Sequence, residues 1–228
     1  MHFFRPLQED EEDNDEIEDF RVRPQDNLVV VGRTEDVYSH LEVHVYDEHD
    51  EHMYIHHDIM LSSYPLCLEW LDFDTDAEGN EGRGNLIAVG TMSPAIEVWD
   101  LDIMDCVEPA YVLGDGKSKR KKKSRGHRAE VMALAANRTQ RNVLASGSAD
   151  TTVKLWDLKT QECLRTYEHH TDKVQSLAWN TAEPTVLMSG AYDRTAQVFD
   201  TRNPEVSAHS FFGGRGRGWC HSVVRGAA

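Results

Sequence analysis

The sequence predicts an all-β chain assembled from a repeated four-stranded antiparallel sheet. Two observations carry this. First, short alternating runs end in an aromatic residue followed by Asp: IEVWD at 96–100, VKLWD at 153–157 and AQVFD at 196–200, with LEVHVYD at 41–47 as a fourth. Alternation over a handful of residues is the period of a strand that shows one face to a core. Second, the runs ahead of these pairs repeat. LIAVG (86–90) precedes IEVWD as LASGS (144–148) precedes VKLWD, and LCLEWL (66–71) aligns with QSLAWN (175–180) through Trp70 and Trp179. Self-similarity at a fixed period marks a repeat architecture.

The clearest repeat runs from Gly126 to Leu158. Strands are expected at Val131–Ala136, Val143–Ser148 and Thr152–Trp156, with Asn137–Asn142 as a polar link and Ala149-Asp150-Thr151 as a tight turn. The stretch opens on Gly126-His127 and closes on Trp156-Asp157, and in this it resembles one blade of a WD-repeat β-propeller. The resemblance implies a hydrogen-bonded tetrad of His127, Ser146 (with Ser148 as the alternative), Asp150 and Trp156. Each carries a donor or acceptor that is costly to bury unpaired, so a structural role is expected and a catalytic one is not.

In chain order, residues 1–26 hold the acidic run Glu9–Asp19, which cannot bury a core and is expected to be a disordered arm. Residues 27–59 read as the end of one blade and the start of the next. Leu28–Gly32 is expected to be a buried strand by its β-branched content, and His52–Ile59 an outer strand. The histidines between His40 and His57 lack zinc-type spacing, and alternation sends neighbours to opposite faces, so no metal site is expected. The blade over 65–101 departs from the tetrad: Leu61, Val89 and Ser93 stand where His127, Ser146 and Asp150 stand, so it should be held mainly by apolar packing. Its link Asp76–Asn85 is Gly-rich without GxGxxG order and reads as a hairpin.

Residues 102–125 are expected to be an insertion between blades, ending in a cationic run of Lys117, Lys119, Arg120, Lys121, Lys122, Lys123 and Arg125. Such a run is solvated, and it reads as a targeting signal, a phosphate contact or a solubilising loop. No aromatic is interleaved, which argues against base stacking. The blade over 163–202 matches the tetrad at His170, Ser189 and Asp193 but carries Phe199 in place of Trp, which loses the indole donor. After Phe212 the pattern stops, and residues 213–228 are expected to be disordered or atypical. The blades themselves span 27–212 in this reading.

The chain has 40 acidic and 24 basic residues, a formal charge of −16, which disfavours nucleic-acid binding over the whole surface. Four scattered cysteines without ligand spacing point to a reducing compartment, and no apolar run approaches the ~18 residues of a membrane span. No nucleophile elbow, paired metal-binding His motif or phosphate loop is present, so neither an enzyme nor a cofactor is expected.

The order of NLVVVGRTEDVYSHLEVHVYD, HHDIMLSSYPLCLEWLDFD, LIAVGTMSPAIEVWDLDIMD and the Lys-rich insertion is similar to the periodic tryptophan protein 1 family, over roughly residues 16–212. That resemblance implies an incomplete propeller, about four of about seven blades, and a truncated chain. It further implies a non-catalytic scaffold of the nucleus and nucleolus. Its expected work is ribosome biogenesis, ribosomal RNA synthesis and processing, and chromatin association. Its expected partners are ribosome-biogenesis factors and histones, with no membrane and no small-molecule substrate. Direct RNA or DNA contact through the Lys-rich insertion is the alternative.

Overall fold

The computed structural model describes residue 22 and residues 27–36, 38–49, 51–73, 83–104, 106–114, 126–203 and 209–212. Among these residues every regular element is a strand. The acidic arm apart from Val22, the Gly-rich stretch 74–82, the cationic run and residues 213–228 lie outside the described residues.

The strands form four antiparallel sheets in chain order. The first holds β1 (Asn27–Glu35), β2 (Tyr38–Asp47) and β3 (His52–Met60), in that spatial order. The second holds β4 (Pro65–Phe73), β5 (Arg83–Thr91), β6 (Ile96–Asp100) and β7 (Tyr111–Leu113). The third holds β8 (Val131–Ala136), β9 (Val143–Ser148), β10 (Val153–Asp157) and β11 (Glu162–Tyr167). The fourth holds β12 (Val174–Trp179), β13 (Val186–Ala191), β14 (Thr195–Asp200) and β15 (His209–Phe212). Each sheet is a meander whose neighbours in sequence are neighbours in space, as short connections require.

The core lies between the sheets. Leu41, Val43 and Ile59 of the first sheet pack on Leu61, Ile87, Val89 and Trp99 at the second. The opposite face of the second sheet, with Leu71, Ala88, Ile96 and Val98, packs on Leu134, Leu144 and Trp156 of the third. The third then presents Ala145, Val153 and Leu155 to Val174, Leu187 and Phe199 of the fourth. Strand alternation explains how β10 serves two cores: Val153 and Leu155 point one way, Trp156 the other, and all three are buried. At the inner edge β8 lies against both β4 and β12. There the Trp179 indole N–H donates to Ala135 O at 3.0 Å, which fastens the fourth sheet to the third.

The structure changes three readings. Leu28–Gly32 is not buried: β1 is an edge strand, and Val29 and Val31 are exposed on one of its faces. β-branched content reports fit to a pleated sheet, not depth. Residues 27–59 do not divide between two blades, because β1, β2 and β3 pair into a single sheet. The stretch 102–125 is not all insertion, since β7 pairs with β6 as the outer strand of the second sheet. In the second blade two polar bonds supplement the expected apolar packing. The Trp99 indole N–H donates to Glu97 Oε2 at 3.2 Å, and the Ser62 hydroxyl bonds the other oxygen.

Gly114 and Gly126, at the two ends of the undescribed stretch, touch. A Cβ on Gly126 would collide with Gly114 O, and Gly114 has φ +83°, so both positions require glycine. The chain therefore leaves the second sheet and enters the third at one point.

Candidate functional site

Two polar clusters bind turn to strand in the third and fourth sheets. In the third, His127 precedes β8, Ser146 lies on β9, Asp150 in the β9–β10 turn and Trp156 on β10. His127 Nε2 is 2.7 Å from Ser146 Oγ, and its Nδ1 is 3.1 Å from Asp150 Oδ2. Trp156 Nε1 donates to Ser146 Oγ at 2.8 Å. The carboxylate accepts only, so the imidazole proton sits on Nδ1 and the Ser146 hydroxyl donates to Nε2. Asp150 also accepts from Arg128 N, Thr152 N and the Thr152 hydroxyl at 2.8, 3.0 and 2.6 Å. Ser148 stands apart: its hydroxyl donates to Ala129 O and accepts from Asp150 N.

The fourth sheet repeats this with one member missing. His170 bonds Ser189 Oγ at 2.7 Å and Asp193 Oδ2 at 3.0 Å, and Asp193 accepts from Thr171 N and from both polar groups of Thr195. Phe199 is buried and offers Ser189 no donor. It instead packs against the Tyr167 and His169 rings, with centroids 4.8 and 5.0 Å away.

The electrostatics follow from burial and these bonds. Burial alone would raise both aspartates. The bonds from His127, Thr152 and Arg128 N hold Asp150 well below the usual carboxylate range. Those from Thr195, Thr171 N and His170 bring Asp193 down to about 2. Burial also lowers the His127 pKa, against the pull of Asp150 beside it. These groups are engaged with one another at the ends of the strands.

Exposed residues lie at one end of the sheets, where sequence reasoning named none. Three turns are equivalent by the same backbone bond: Met92 N to Tyr64 O, Ala149 N to Glu130 O, and Tyr192 N to Lys173 O, at 2.9–3.0 Å. Tyr64 (45% exposed), Met92 (50%) and Tyr192 (57%) project from this rim. The Tyr64 hydroxyl reaches Asp36 O at 3.0 Å, which extends the rim to the β1–β2 turn. Exposed tyrosine and methionine are the side chains enriched at protein contacts. Exposure depends on how the sheets stack, so only the fold reveals it.

On the first sheet, His40, Glu42 and Asp58 bring possible ligand atoms within 4.8 Å of one another. Alternation sends adjacent histidines to opposite faces, but it puts His40, Glu42 and His44 on one face. The cationic run from Lys117 to Arg125 lies outside the described residues.

The model of the WD domain, G-beta repeat, matches residues 118–157 and 161–200. An uncharacterized WD repeat-containing protein of Schizosaccharomyces pombe is 50% identical over 69% of this chain and 32% of its own length. The periodic tryptophan protein 1 homolog of Drosophila melanogaster is 45% identical over 65% of this chain and 32% of its own. Periodic tryptophan protein 1 of Saccharomyces cerevisiae is 37% identical over 71% and 34%. The chain thus spans about a third of the length of these relatives. It carries WD repeats over 118–157 and 161–200, its four antiparallel sheets are consistent with an incomplete WD β-propeller, and over some two thirds of its length it is similar to periodic tryptophan protein 1.

Proposed function

We propose that the chain is a non-catalytic interaction platform of the nucleus and nucleolus that supports ribosome biogenesis and chromatin association through protein–protein contacts. The observation that carries this reading is the pairing of spent polar clusters with an exposed rim. His127, Ser146 and Asp150, the groups that most resemble a catalytic set, are bonded to each other and to backbone. Tyr64, Met92 and Tyr192 are left to face solvent at equivalent turns. Function on such a fold lives in its surface loops. The similarity to periodic tryptophan protein 1 supports the nuclear and ribosomal assignment, and the partners are ribosome-biogenesis factors and histones. The tetrad residues act as structural ties, and the Lys117–Arg125 run as the targeting element.

Two variants test this. Tyr64→Ser, Met92→Ser and Tyr192→Ser combined should leave the melting midpoint nearly unchanged, since exposed substitutions cost within about 0.5 kcal/mol each. The same variant should lose ribosome-biogenesis factors from proximity labelling in cells. Retention of the same labelled set would reject the rim. Changing Lys119–Lys123 to Gln should move a fluorescent fusion out of the nucleolus, and unchanged localisation would reject the targeting role.

A further inference from the structure

The first sheet carries a cluster that neither the tetrads nor the rim uses. On β2, His40, Glu42 and His44 alternate onto the face opposite Leu41 and Val43. Asp58 of β3 stands directly across the ladder from Glu42. Two carboxylates facing each other across a strand pair repel unless a cation lies between them. One guanidinium reaches the pair: Arg33 of β1 bonds Glu42 Oε1 at 2.8 Å, but it is half exposed and shared with Glu35. Imidazoles complete the set. His40 Nε2 lies 3.3 Å from Glu42 Oε1, and His44 Nε2 lies 3.2 Å from Glu42 Oε2.

We propose that His40, Glu42 and Asp58 form a binding site for a divalent transition metal of the zinc type, with His44 orienting Glu42. The distances fit. In a tetrahedral site with bonds of about 2.0–2.1 Å, ligand atoms sit roughly 3.3–3.4 Å apart. The three donor side chains already bring their ligand atoms within 4.8 Å, so a small rotamer change closes the set around an ion. Mixed nitrogen and carboxylate donors select zinc and its neighbours over calcium or magnesium. Glu42 is almost wholly buried on a central strand, which fixes the ligand that all the others meet. His44 on its second oxygen is the outer partner that metal-binding carboxylates characteristically have. Arg33 occupies the cation's place and is the competitor the metal displaces, turning to Glu35, to which it is already bonded. Three protein ligands leave a fourth position open on an exposed face bordered by Val31 and Met60.

The test uses the purified chain stripped with a chelator. Zn²⁺ is titrated calorimetrically, and Co²⁺ is titrated in parallel for its visible absorption. One equivalent should bind, with Co²⁺ bands of tetrahedral nitrogen–oxygen coordination. His40→Gln and Asp58→Asn should each weaken binding by more than about a hundredfold, and His44→Gln by about ten- to a hundredfold. Arg33→Met should tighten binding by removing the competitor, a gain that a misfolded protein cannot show. Affinity equal to that of the unaltered chain in both His40→Gln and Asp58→Asn would overturn the site. Absence of binding at about 1 mM metal, or weaker binding in Arg33→Met, would overturn it as well.

Discussion

The Trp156 indole N–H donates to the Ser146 hydroxyl at 2.8 Å, while Phe199, which takes the place of Trp156 in the next sheet, gives Ser189 nothing. Ser146 thus links two buried groups and Ser189 links one. Ser146→Ala leaves both the indole N–H and the His127 nitrogen without a partner, and should cost about 2–3 kcal/mol in urea unfolding. Ser189→Ala should cost roughly 1 kcal/mol less. Equal losses would show that the indole bond contributes nothing.

Stability should fall on acidification in two stages. Burial lowers the pKa of His127 and, with the His170 charge, that of His169. The native chain then binds fewer protons than the unfolded chain, whose histidines titrate near 6.5, so stability drops as pH falls through that value. Asp150 and Asp193 lie below their ordinary 3.8, so their contribution is present above that value and is lost as pH falls toward about 2 for Asp193. Glu69 acts in the opposite sense, because burial raises it and its protonation favours the fold. One such group does not offset the others. Melting midpoints from pH 8 to 3 should step down below about 6.5 and again below about 4. A flat profile between pH 7.5 and 5.5 would contradict the histidine stage.

Thr151 has φ 69° in the β9–β10 turn, a left-handed conformation that β-branched residues disfavour. Asn adopts it readily. Thr151→Asn should raise stability by about 1 kcal/mol, seen as a higher thermal midpoint. A lower midpoint would mean that the threonine makes a compensating contact.

Gly114 and Gly126 touch, so a short connection suffices to join them. Replacing residues 116–124 with a short Gly-Ser linker should change stability by less than about 1 kcal/mol, since loop closure varies slowly with length. A loss of several kcal/mol would show that the stretch packs against a sheet. Gly126→Ala, in contrast, should be strongly destabilising.

Much of this fold was legible as periodicity. Val131–Ala136 and Val143–Ser148 match the expected strands, because both cores they meet demand alternation on short, cleanly bounded runs. The outer strands β7, β11 and β15 were not legible. Leu164 and Phe211 on them are exposed, so the pattern of buried positions that marks a strand is weak there. Glu97 escaped notice as the anchor of Trp99 because its place in the repeat is held by Lys154 and Gln197 in the next two sheets. The rim of Tyr64, Met92 and Tyr192 is invisible in sequence, where an exposed tyrosine reads like a buried one. His40, Glu42, His44 and Asp58 become one cluster only once the β2–β3 register is known.

Each core described above is shared by two sheets. Leu41 with Trp99, Leu144 with Leu71, and Leu155 with Leu187 are joint property of neighbours. The cooperative unit is therefore the seam and not the sheet. A protease or a rising temperature should peel the assembly from an end, one seam at a time, as in linear repeat arrays whose stability is a sum of nearest-neighbour terms. The second and third sheets, each flanked by a seam on both faces, would be the last to exchange their amide hydrogens.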